Sequence, residues 1–418
     1  MLDVCGFRGL TFDTGKVLSQ NHVITPPYDV ISPAERELLA KLSPYSMVHL
    51  LLPRERDGLS RYESAAAHLE TWIEQGILVQ DPEPSFYLLR QHFVDLDGAP
   101  RVRRAFFGVT RLPKRGEKTI LGHERTFNKP VEDRLRLTQA TRANLGAVFV
   151  LYADPEQVLA PFFAHMDAHP PAAAADTLDG VKQEFWRVPH SDAVTAFFRD
   201  KILYIADGHH RFQTAQTYRD ALRQQKPSAG PQPYDYVLMG FVCLDDPGLK
   251  IYPPHRLVPK PDGFDLSSFL KALDPWFEVL PVCEDLPGHV EQDPSACVIG
   301  VAIHGEGDYL LRWRDRDRTA LLGDDRGPAW RDLDVALLHR GIIEGILGMP
   351  PETQFAYVKS AGQAMHAAHS GSTGLAFILR ATRADQIRAC AEAGEPMPQK
   401  STYFFPKLPS GVVIHRLI

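Results

Sequence analysis

Apolar residues recur at helical spacing in several segments of the chain. In the segment 59–75 an apolar residue stands at every third or fourth position, and the glycine that follows is typical of a helix end. The sequence Ser-Pro-Ala-Glu at 32–35 has the form of a capping box with proline in the first turn, which predicts a helix to about Leu42. Two more helices are predicted over residues 332–347 and 384–393.

Runs of β-branched and aromatic residues predict strands between these helices. Residues 85–96 and 101–112 are two such runs separated by Asp-Gly, a pattern typical of a β-hairpin. Shorter apolar runs predict further strands over residues 145–152, 202–206, 236–244, 297–303, 309–313, 374–379 and 411–418. The interleaving of strands and helices favours an α+β, or mixed α/β, fold class.

Three regions are predicted from the loops that separate these elements. An N-terminal α/β region covers residues 1–153, a central region covers 154–260, and a C-terminal α/β region covers 261–418. The central region starts with a stretch rich in proline and alanine, residues 154–179, which predicts a variable surface excursion. We expect the C-terminal region to interlock with the rest of the chain.

Charge and cysteine content exclude several classes of protein. The 418 residues carry 52 acidic and 46 strongly basic side chains, a net charge of −6, so we expect no nucleic-acid or membrane partner. The five cysteines include no CxxC pair, which argues against a disulfide scaffold or zinc ribbon and favours a reducing compartment. The apolar runs are far shorter than a membrane helix needs, and the N-terminus lacks a signal pattern. We therefore expect a soluble cytoplasmic protein that acts on a small molecule.

A dense group of polar residues follows the predicted strand at 202–206. Its members are Asp207, Gly208, His209, His210 and Arg211. A strand that turns through glycine into a helix presents unpaired N–H groups, which suit phosphate. Arg211 matches the geometry of phosphate oxygens, the two histidines offer donors, and Asp207 offers oxygen to a divalent metal. The common motifs for phosphate, dinucleotide and zinc sites, the P-loop, GxGxxG and HExxH, are absent from the chain, so the charged clusters carry the prediction.

A second charged segment spans residues 122–134. It contains the candidates His123, Glu124, Arg125, Glu132 and Arg134. Glu124 is a candidate base and Glu132 a candidate metal ligand, while the histidine and the two arginines are candidate phosphate ligands. A charge-rich loop is more often a solvated surface, so this segment alone predicts little.

Three shorter segments add further candidates. In Pro-Pro-Tyr-Asp-Val at 26–30, two prolines fix the backbone before the capped helix, so Asp29 sits on a rigid turn as a candidate base. Pro-Pro-His-Arg at 253–256 presents Arg256 as a phosphate ligand on another rigid segment. The segment 397–407 adds the candidate anion ligands Lys400, Ser401 and Thr402.

Together these segments carry a set of family motifs. They are PPYDVI at 26–31, HERTF and EDRL at 123–127 and 132–135, IADGHHR at 205–211, PPHRL at 253–257 and MPQKSTYFFPK at 397–407. In order and from end to end they resemble the hallmarks of the domain-of-unknown-function family 1015. The chain is identified as a member of that family, whose name implies no activity.

The strand–DGHHR–helix element also resembles that of ParB-like domains, which include sulfiredoxin and the archaeal free serine kinase. This resemblance implies a ParB-like core around the element, with Asp207, Gly208, His210 and Arg211 holding phosphate and Mg²⁺. That superfamily has one histidine before the arginine, so the role of His209 stays open. The resemblance further implies a kinase for free serine or a similar hydroxy amino acid, with ATP, ADP or pyrophosphate as donor. The base would be an acidic residue, either Asp29 or Glu124.

Two alternatives use the same residues. A phosphate-ester or nucleotide hydrolase would replace the hydroxyl acceptor with water, and a non-enzymatic ParB-like switch would bind nucleotide without turnover. A DNA-binding role would need a basic face, which the net charge of −6 argues against. A zinc site at His209, His210 and His123 is disfavoured because adjacent histidines at a helix start point in different directions. The sequence leaves the oligomeric state open.

Overall fold

The computed structural model describes residues 1–114, 116–124, 128–225, 228–351, 353 and 355–418. Within them the chain divides into two units. The first unit comprises residues 1–122, 126–250 and 406–418, and the second comprises residues 123–125 and 251–405. The fold class is mixed α/β, as predicted, and the ParB-like character of the core stays a prediction.

The elements are numbered in chain order. The strands are β1 (Val4–Cys5), β2 (Leu10–Phe12), β3 (Leu78–Gln80), β4 (Ser85–Val94), β5 (Pro100–Arg111), β6 (Ile120–Leu121), β7 (Ala143–Asn144), β8 (Val148–Tyr152), β9 (Ala173–Asp176), β10 (Lys182–Pro189), β11 (Leu203–Asp207), β12 (Tyr236–Cys243), β13 (Lys250–Tyr252), β14 (His255–Val258), β15 (Phe277–Val282), β16 (Val298–Ile303), β17 (Gly307–Trp313), β18 (Ala356–Val358), β19 (Leu375–Ile378), β20 (Tyr403–Phe405) and β21 (His415–Arg416). The α-helices are α1 (Pro33–Leu42), α2 (Val48–Leu51), α3 (Arg61–Glu74), α4 (Asn128–Thr141), α5 (Ala160–Phe163), α6 (His165–Ala168), α7 (Asp192–Phe198), α8 (His209–Gln225), α9 (Leu266–Leu273), α10 (Leu286–Gln292), α11 (Thr319–Leu322), α12 (Pro328–Arg331), α13 (Asp334–Ala336), α14 (Ala361–His369) and α15 (Ala384–Ala393). A π-helical segment, Leu337–Ile346, continues α13, and short 3-10 turns span Gln20–His22, Tyr28–Val30 and Pro233–Asp235.

The first unit is built on a mixed sheet. Its strand order in the described chain is β6-β11-β8-β12-β5-β4-β10-β9, and β1 pairs with β5 beside this path. β4 and β5 pair antiparallel, which confirms the hairpin predicted from the Asp-Gly turn. β12 runs parallel to β8, whereas β11 runs antiparallel to it. Phe106 and Phe241 stack at 4.6 Å between ring centroids in the core of this unit, and aromatic burial of this kind anchors the sheet.

The helices before this sheet begin as their sequences predict. Ser32 and Glu35 form a reciprocal capping box at the start of α1, and Ser60 and Glu63 form another at the start of α3. Each box satisfies backbone donors that a helix start leaves open. The capped start of α1 fixes the chain directly after the Pro-Pro-Tyr-Asp-Val segment.

The second unit contains a six-stranded sheet with the order β15-β17-β16-β19-β14-β18 in the described residues. Neighbouring strands in this order pair antiparallel. α14 packs its buried alanines, Ala364 and Ala368, into an apolar cluster with β16 and β19. This core fixes β14, the strand that carries His255 and Arg256.

Three predicted elements differ in the structure. The stretch 154–179, predicted as a surface excursion, is partly built into the first unit. Phe163 and Met166 are buried in its core, and the alanines of β9 pair with β10. The helix predicted over 332–347 starts at Asp334 and becomes π-helical from Leu337. Because a π-helix and an α-helix bury similar apolar residues, the spacing of apolar residues in the sequence does not distinguish them. The segment 411–418 contributes only the short strand β21, and Gly411 turns the chain with a positive φ of 96°.

The last residues of the chain return to the first unit. Ser410 pairs with Thr25 and Ile414 pairs with Leu10 through isolated β-bridges, and β21 pairs with β7. Ile414 is fully buried. None of the helices in the described residues has the length and apolar character that a bilayer crossing requires.

Candidate active site

The DGHHR motif forms a strand–turn–helix element in the first unit. β11 ends at Asp207, and α8 begins at His209. Gly208 makes the turn between them with a φ of 90°, a conformation that suits glycine. A Cβ atom at position 208 would also lie only 2.9 Å from the guanidinium carbon of Arg211. Glycine is therefore required here both by the backbone and by the arginine beside it.

Asp207 holds two cations. Its Oδ2 accepts a hydrogen bond of 2.6 Å from Nη2 of Arg211, and its Oδ1 accepts one of 3.2 Å from Nζ of Lys407. Burial alone raises the pKa of Asp207, but the charges of Lys407 and Arg211 outweigh it and hold the pKa well below its usual range. The carboxylate is therefore ionised at every physiological pH. We call Asp207, Arg211 and Lys407 the charge triad.

The guanidinium of Arg211 forms its hydrogen bonds through two of its three nitrogens. Nη1 donates to the backbone oxygen of Ala147, and Nη2 is taken by Asp207. Its Nε–H is buried and has no hydrogen-bond partner among the described residues. A buried donor without a partner is costly, so this atom marks a place where a ligand oxygen would stabilise the protein.

A small cavity of about 50 Å³ lies beside Arg211 in the first unit. Tyr28, Arg134 and Ser410 supply polar groups to its wall. The Arg134 guanidinium lies 4.3 Å from the centroid of the Tyr28 ring, and its Nη1 donates a 2.7 Å bond to the backbone oxygen of Leu51. Burial raises the pKa of the Tyr28 hydroxyl, so Tyr28 is a neutral donor at this wall.

Asp29 follows Tyr28 and is exposed. Its charge acts on both Tyr28 and Arg211, whose pKa values it raises. The first unit thus brings an exposed carboxylate from the Pro-Pro-Tyr-Asp-Val segment into electrostatic reach of the charge triad. The role of Asp29 as a base stays a prediction, and its position is compatible with that role.

Buried polar side chains on the sheet hold the backbone at Lys407. Nε2 of Gln91 donates a 3.1 Å bond to the backbone oxygen of Lys407, and Oε1 of Gln91 accepts from Nε of Arg103 at 3.0 Å. Gln91 also donates to Oε1 of Gln183 at 2.9 Å. Arg103 is fully buried, and burial lowers its pKa to about 9. This row across β5, β4 and β10 fixes the chain where it presents Lys407 to Asp207.

His209 is buried at the start of α8, and His210 beside it is half-buried. Burial lowers the pKa of His209 to about 4. The positive charges of His210, Arg211 and Lys407 also lower this pKa, and the negative charge of Asp207 opposes them. His209 is therefore neutral at pH 7, so it has no positive charge with which to bind an anion. Its ring fills the space beside Gly122, where a Cβ atom would lie 2.9 Å from its Cδ2.

The neutral state of His209 makes stability depend on pH. The folded pKa of about 4 lies below the usual value of 6.5, so the unfolded chain binds more protons between these pH values. The free energy of unfolding should fall as pH drops from 6.5 towards 4, by about 1.4 kcal/mol per pH unit for this group. We expect the His209→Asn variant to lose that part of the slope in urea unfolding at pH 6.5 and 4.5. The exposed His366→Asn variant should keep the wild-type slope, and an equal slope in both variants would contradict the assignment.

The second unit uses Arg256 internally. Arg256 is fully buried, its Nε donates to Nε2 of His339 at 3.0 Å, and its Nη1 donates to the backbone oxygen of Pro254. Its Nη2 donates to the backbone oxygens of Gln399 and Lys400 at 3.4 and 2.9 Å. Burial lowers the pKa of Arg256 to about 10. In this structure Arg256, a predicted phosphate ligand, donates hydrogen bonds that hold the KSTYFF segment, residues 400–405, in place.

The KSTYFF segment is held from a second side. Nε2 of His123 lies 3.4 Å from Oγ1 of Thr402, and the backbone oxygen of His123 accepts a 2.8 Å bond from Met397. Ser401 is buried, and its hydroxyl donates to the backbone oxygen of Pro398. Lys400 is exposed and has a positive φ of 52°. Among the predicted anion ligands of this unit that the structure describes, Lys400 is the exposed one.

The remaining acidic candidates occupy different environments. Glu132 lies on α4 with its side chain 62% exposed and paired to Arg136. Glu124 is half-buried in the second unit, where its charge raises the pKa of Tyr357. Arg125 lies outside the described residues.

The two predicted metal ligands do not suit a resident Mg²⁺. Both oxygens of Asp207 already bind cations, and Glu132 is paired with an arginine on an exposed helix face. Mg²⁺ needs carboxylate oxygens that no cation already occupies. Among the described residues, no group of three or more His, Cys, Asp or Glu side chains is placed to hold a metal. This arrangement does not support the assignment of Asp207 and Glu132 as metal ligands, which stays a prediction; in the structure Asp207 binds side-chain cations.

The structure groups the predicted residues by unit. In the first unit Arg211 binds Asp207, shares a cavity wall with Arg134 and lies within electrostatic reach of Asp29. The second unit brings His123, Arg256 and residues 400–402 together. Lys407 and Tyr28 were missed as site residues. Both belong to motif segments quoted above, and the lysine that ends MPQKSTYFFPK was the available signal.

Comparisons with known proteins show the family to which the chain belongs. The family described as "Protein of unknown function (DUF1015)" matches residues 4–336. No curated protein matches the chain. Among solved structures the chain is similar to a free serine kinase in complex with AMP, at 13% identity and a TM-score of 0.37, covering 71% of this chain and 86% of the kinase. It is also similar to a C-terminally truncated SbnI from Staphylococcus aureus, at 11% identity and a TM-score of 0.36, covering 72% and 84% of the two chains. A conserved hypothetical protein from Pyrococcus furiosus matches at 13% identity and a TM-score of 0.35, covering 70% and 90%.

Proposed function

We propose that this chain, which belongs to the DUF1015 family of proteins of unknown function, is a small-molecule phosphotransferase. Its acceptor is free serine or a similar hydroxy amino acid, and its donor is ATP, ADP or pyrophosphate. The charge triad carries the proposal. One permanently ionised aspartate fixes two cations at a strand-to-helix turn, and a buried Arg211 donor beside them has no partner in the described part of the chain.

The charge triad suits phosphoryl transfer. Catalysis of this reaction rests on positioning and on fixed positive charge, because the transferred group spreads negative charge over its oxygens. Arg211 and Lys407 together outweigh the single charge of Asp207, so the triad presents a net positive charge. The first N–H groups of α8, a helix of 17 residues, add to the positive potential at the same turn.

Asp29 is the proposed base. It accepts the proton of the acceptor hydroxyl as that oxygen forms its bond to phosphorus, while the bond between phosphorus and the leaving oxygen of the donor breaks. The leaving group departs with the electron pair of that bond, and Arg211 and Lys407 stabilise its charge. Exposure keeps Asp29 in contact with solvent, which can remove the proton after transfer. Glu124 stays the alternative base.

Magnesium enters this proposal with the donor. Polyphosphates bind Mg²⁺ through their own oxygens, and such ions keep most of their water ligands. The residues of the charge triad then bind the complex through phosphate oxygens. No step requires a metal held by Asp207.

Phosphorus NMR of the purified chain tests the function directly. Separate samples contain Mg²⁺, an amino-acid mixture with serine, and ATP, ADP or pyrophosphate. We expect a new phosphomonoester signal that depends on both the amino acid and one of the donors. Release of orthophosphate alone would replace the kinase with the hydrolase alternative. An unchanged spectrum in every sample, with folded protein, would favour the nucleotide-binding switch.

A further inference from the structure

A groove of about 310 Å³ opens between the start of α1 and the helices α3 and α4 in the first unit. Its wall contains four arginines from four different segments of the chain. They are Arg36 of α1, Arg54 of the segment after α2, Arg61 of α3 and Arg134 of α4. We call this the arginine groove. The volume lies at the lower end of the range typical of small-molecule sites.

The arginines of the groove outnumber the acidic residues near them. Glu37 pairs with Arg36 and Arg54, and Asp133 pairs with Arg61 and Arg134. Glu55 is near enough to Arg61 to raise its pKa. Four guanidiniums thus face three carboxylates, and the groove keeps an excess of positive charge.

Two of these arginines have donors to spare. The side chain of Arg54 is 65% exposed, and that of Arg61 is 50% exposed. Among the described residues, the hydrogen bonds of each involve only one terminal nitrogen, Nη2. Each guanidinium therefore has further N–H groups directed away from its acidic partner. A planar fork of such donors matches the oxygens of phosphate.

Arg134 connects the arginine groove to the candidate active site. Its guanidinium lines the groove and also lines the small cavity beside Arg211. Tyr28, which precedes the proposed base, stacks on the same guanidinium at 4.3 Å. An extended anion lying in the groove would therefore reach Arg134, which also lines the cavity beside Arg211.

We infer that the arginine groove binds the polyphosphate chain of the donor, an inference that rests on the proposed function. A polyphosphate carries several negative charges in a row, and four positively charged arginines line the groove. The wall also contains one aromatic residue, Tyr62, and the guanidinium of Arg61 lies over its ring at 4.8 Å from the centroid. The hydroxyl of Tyr62 accepts from Arg61 and donates to Asp133, so this side chain belongs to the arginine network. We assign the groove to the phosphates that ATP, ADP and pyrophosphate share, and not to the base.

Binding of inorganic phosphates to the full chain tests this inference without turnover. Isothermal titration calorimetry with magnesium pyrophosphate and magnesium tripolyphosphate compares the wild type with an Arg54→Ala/Arg61→Ala double variant. We expect the Kd of the double variant to rise at least tenfold. The matched control is Arg56→Ala, because Arg56 is similarly exposed, pairs with Asp57 and does not line the groove. The control should keep the wild-type Kd, and urea unfolding should show all three proteins equally stable.

The outcomes separate this inference from the proposed function. Tight pyrophosphate binding that the double variant loses supports the groove even when NMR detects no phosphomonoester. Turnover with an unchanged donor KM in the double variant overturns the groove while the kinase proposal stands. ATP and tripolyphosphate should bind with similar Kd values. A strong preference for ATP would show base recognition and overturn the assignment of the groove to the phosphates alone.

Discussion

The Asp207→Asn variant is expected to lose both catalysis and much of its stability. The substitution keeps the size of the side chain but removes the charge that holds Arg211 and Lys407. Both cations, whose side chains are only 13% and 12% exposed, then lose this counterion. Removing one partner of a buried pair costs about 3–5 kcal/mol. Urea unfolding should show this loss, and the phosphomonoester signal should vanish from the phosphorus spectrum.

The control for this prediction lies on α8, the helix that follows Asp207. Asp220 of α8 pairs with Arg219 and is 59% exposed, so Asp220→Asn should change stability by no more than about 0.5 kcal/mol. Asp207→Asn with wild-type stability would mean that the ion pairs are not formed as described. Asp207 is a candidate metal ligand by its sequence, and its two ion pairs give it a structural role as well.

The Asp29→Asn variant is expected to lose activity without losing stability. Asp29 is exposed, so an amide in its place leaves no buried group without a partner. Removing a general base lowers the rate of the chemical step by roughly 10²–10⁴-fold. Steady-state kinetics with serine and the active donor should show this loss in kcat, with little change in KM for the donor.

Two comparisons sharpen the test of Asp29. The unfolding midpoint of Asp29→Asn should match the wild type, which separates it from Asp207→Asn. Asp220→Asn should retain full kcat. A kcat within about threefold of wild type in Asp29→Asn would remove Asp29 as the base and leave Glu124 as the candidate.

Local elements of the fold were predictable because their signals are local. The capping boxes at Ser32 and Ser60 need only residues three positions apart, and the β4–β5 hairpin needs only the Asp-Gly turn. The order of strands in the sheets is set by long-range packing, which no short pattern contains. The same limit explains the stretch 154–179, whose few large apolar residues reach the core only in the folded chain.

The candidate site was predictable in its residues more than in their roles. A motif shows that Arg211 and Arg256 are present, but it does not show what each guanidinium donates to. In the structure Arg256 donates to groups of its own unit, whereas Nε of Arg211 has no hydrogen-bond partner among the described residues. Lys407 was overlooked because its partner, Asp207, is 200 residues away in the chain.

The return of residues 406–418 to the first unit has a consequence for biosynthesis. A nascent chain emerges N-terminus first, and the whole of residues 251–405 is made before Lys407 leaves the ribosome. Until then Asp207 and Arg211 lack their third partner, and the positions of Ile414 and His415 in the core are unfilled. The charge triad therefore assembles only after synthesis has passed residue 407, and a ribosome-bound chain halted in the second unit carries no complete site.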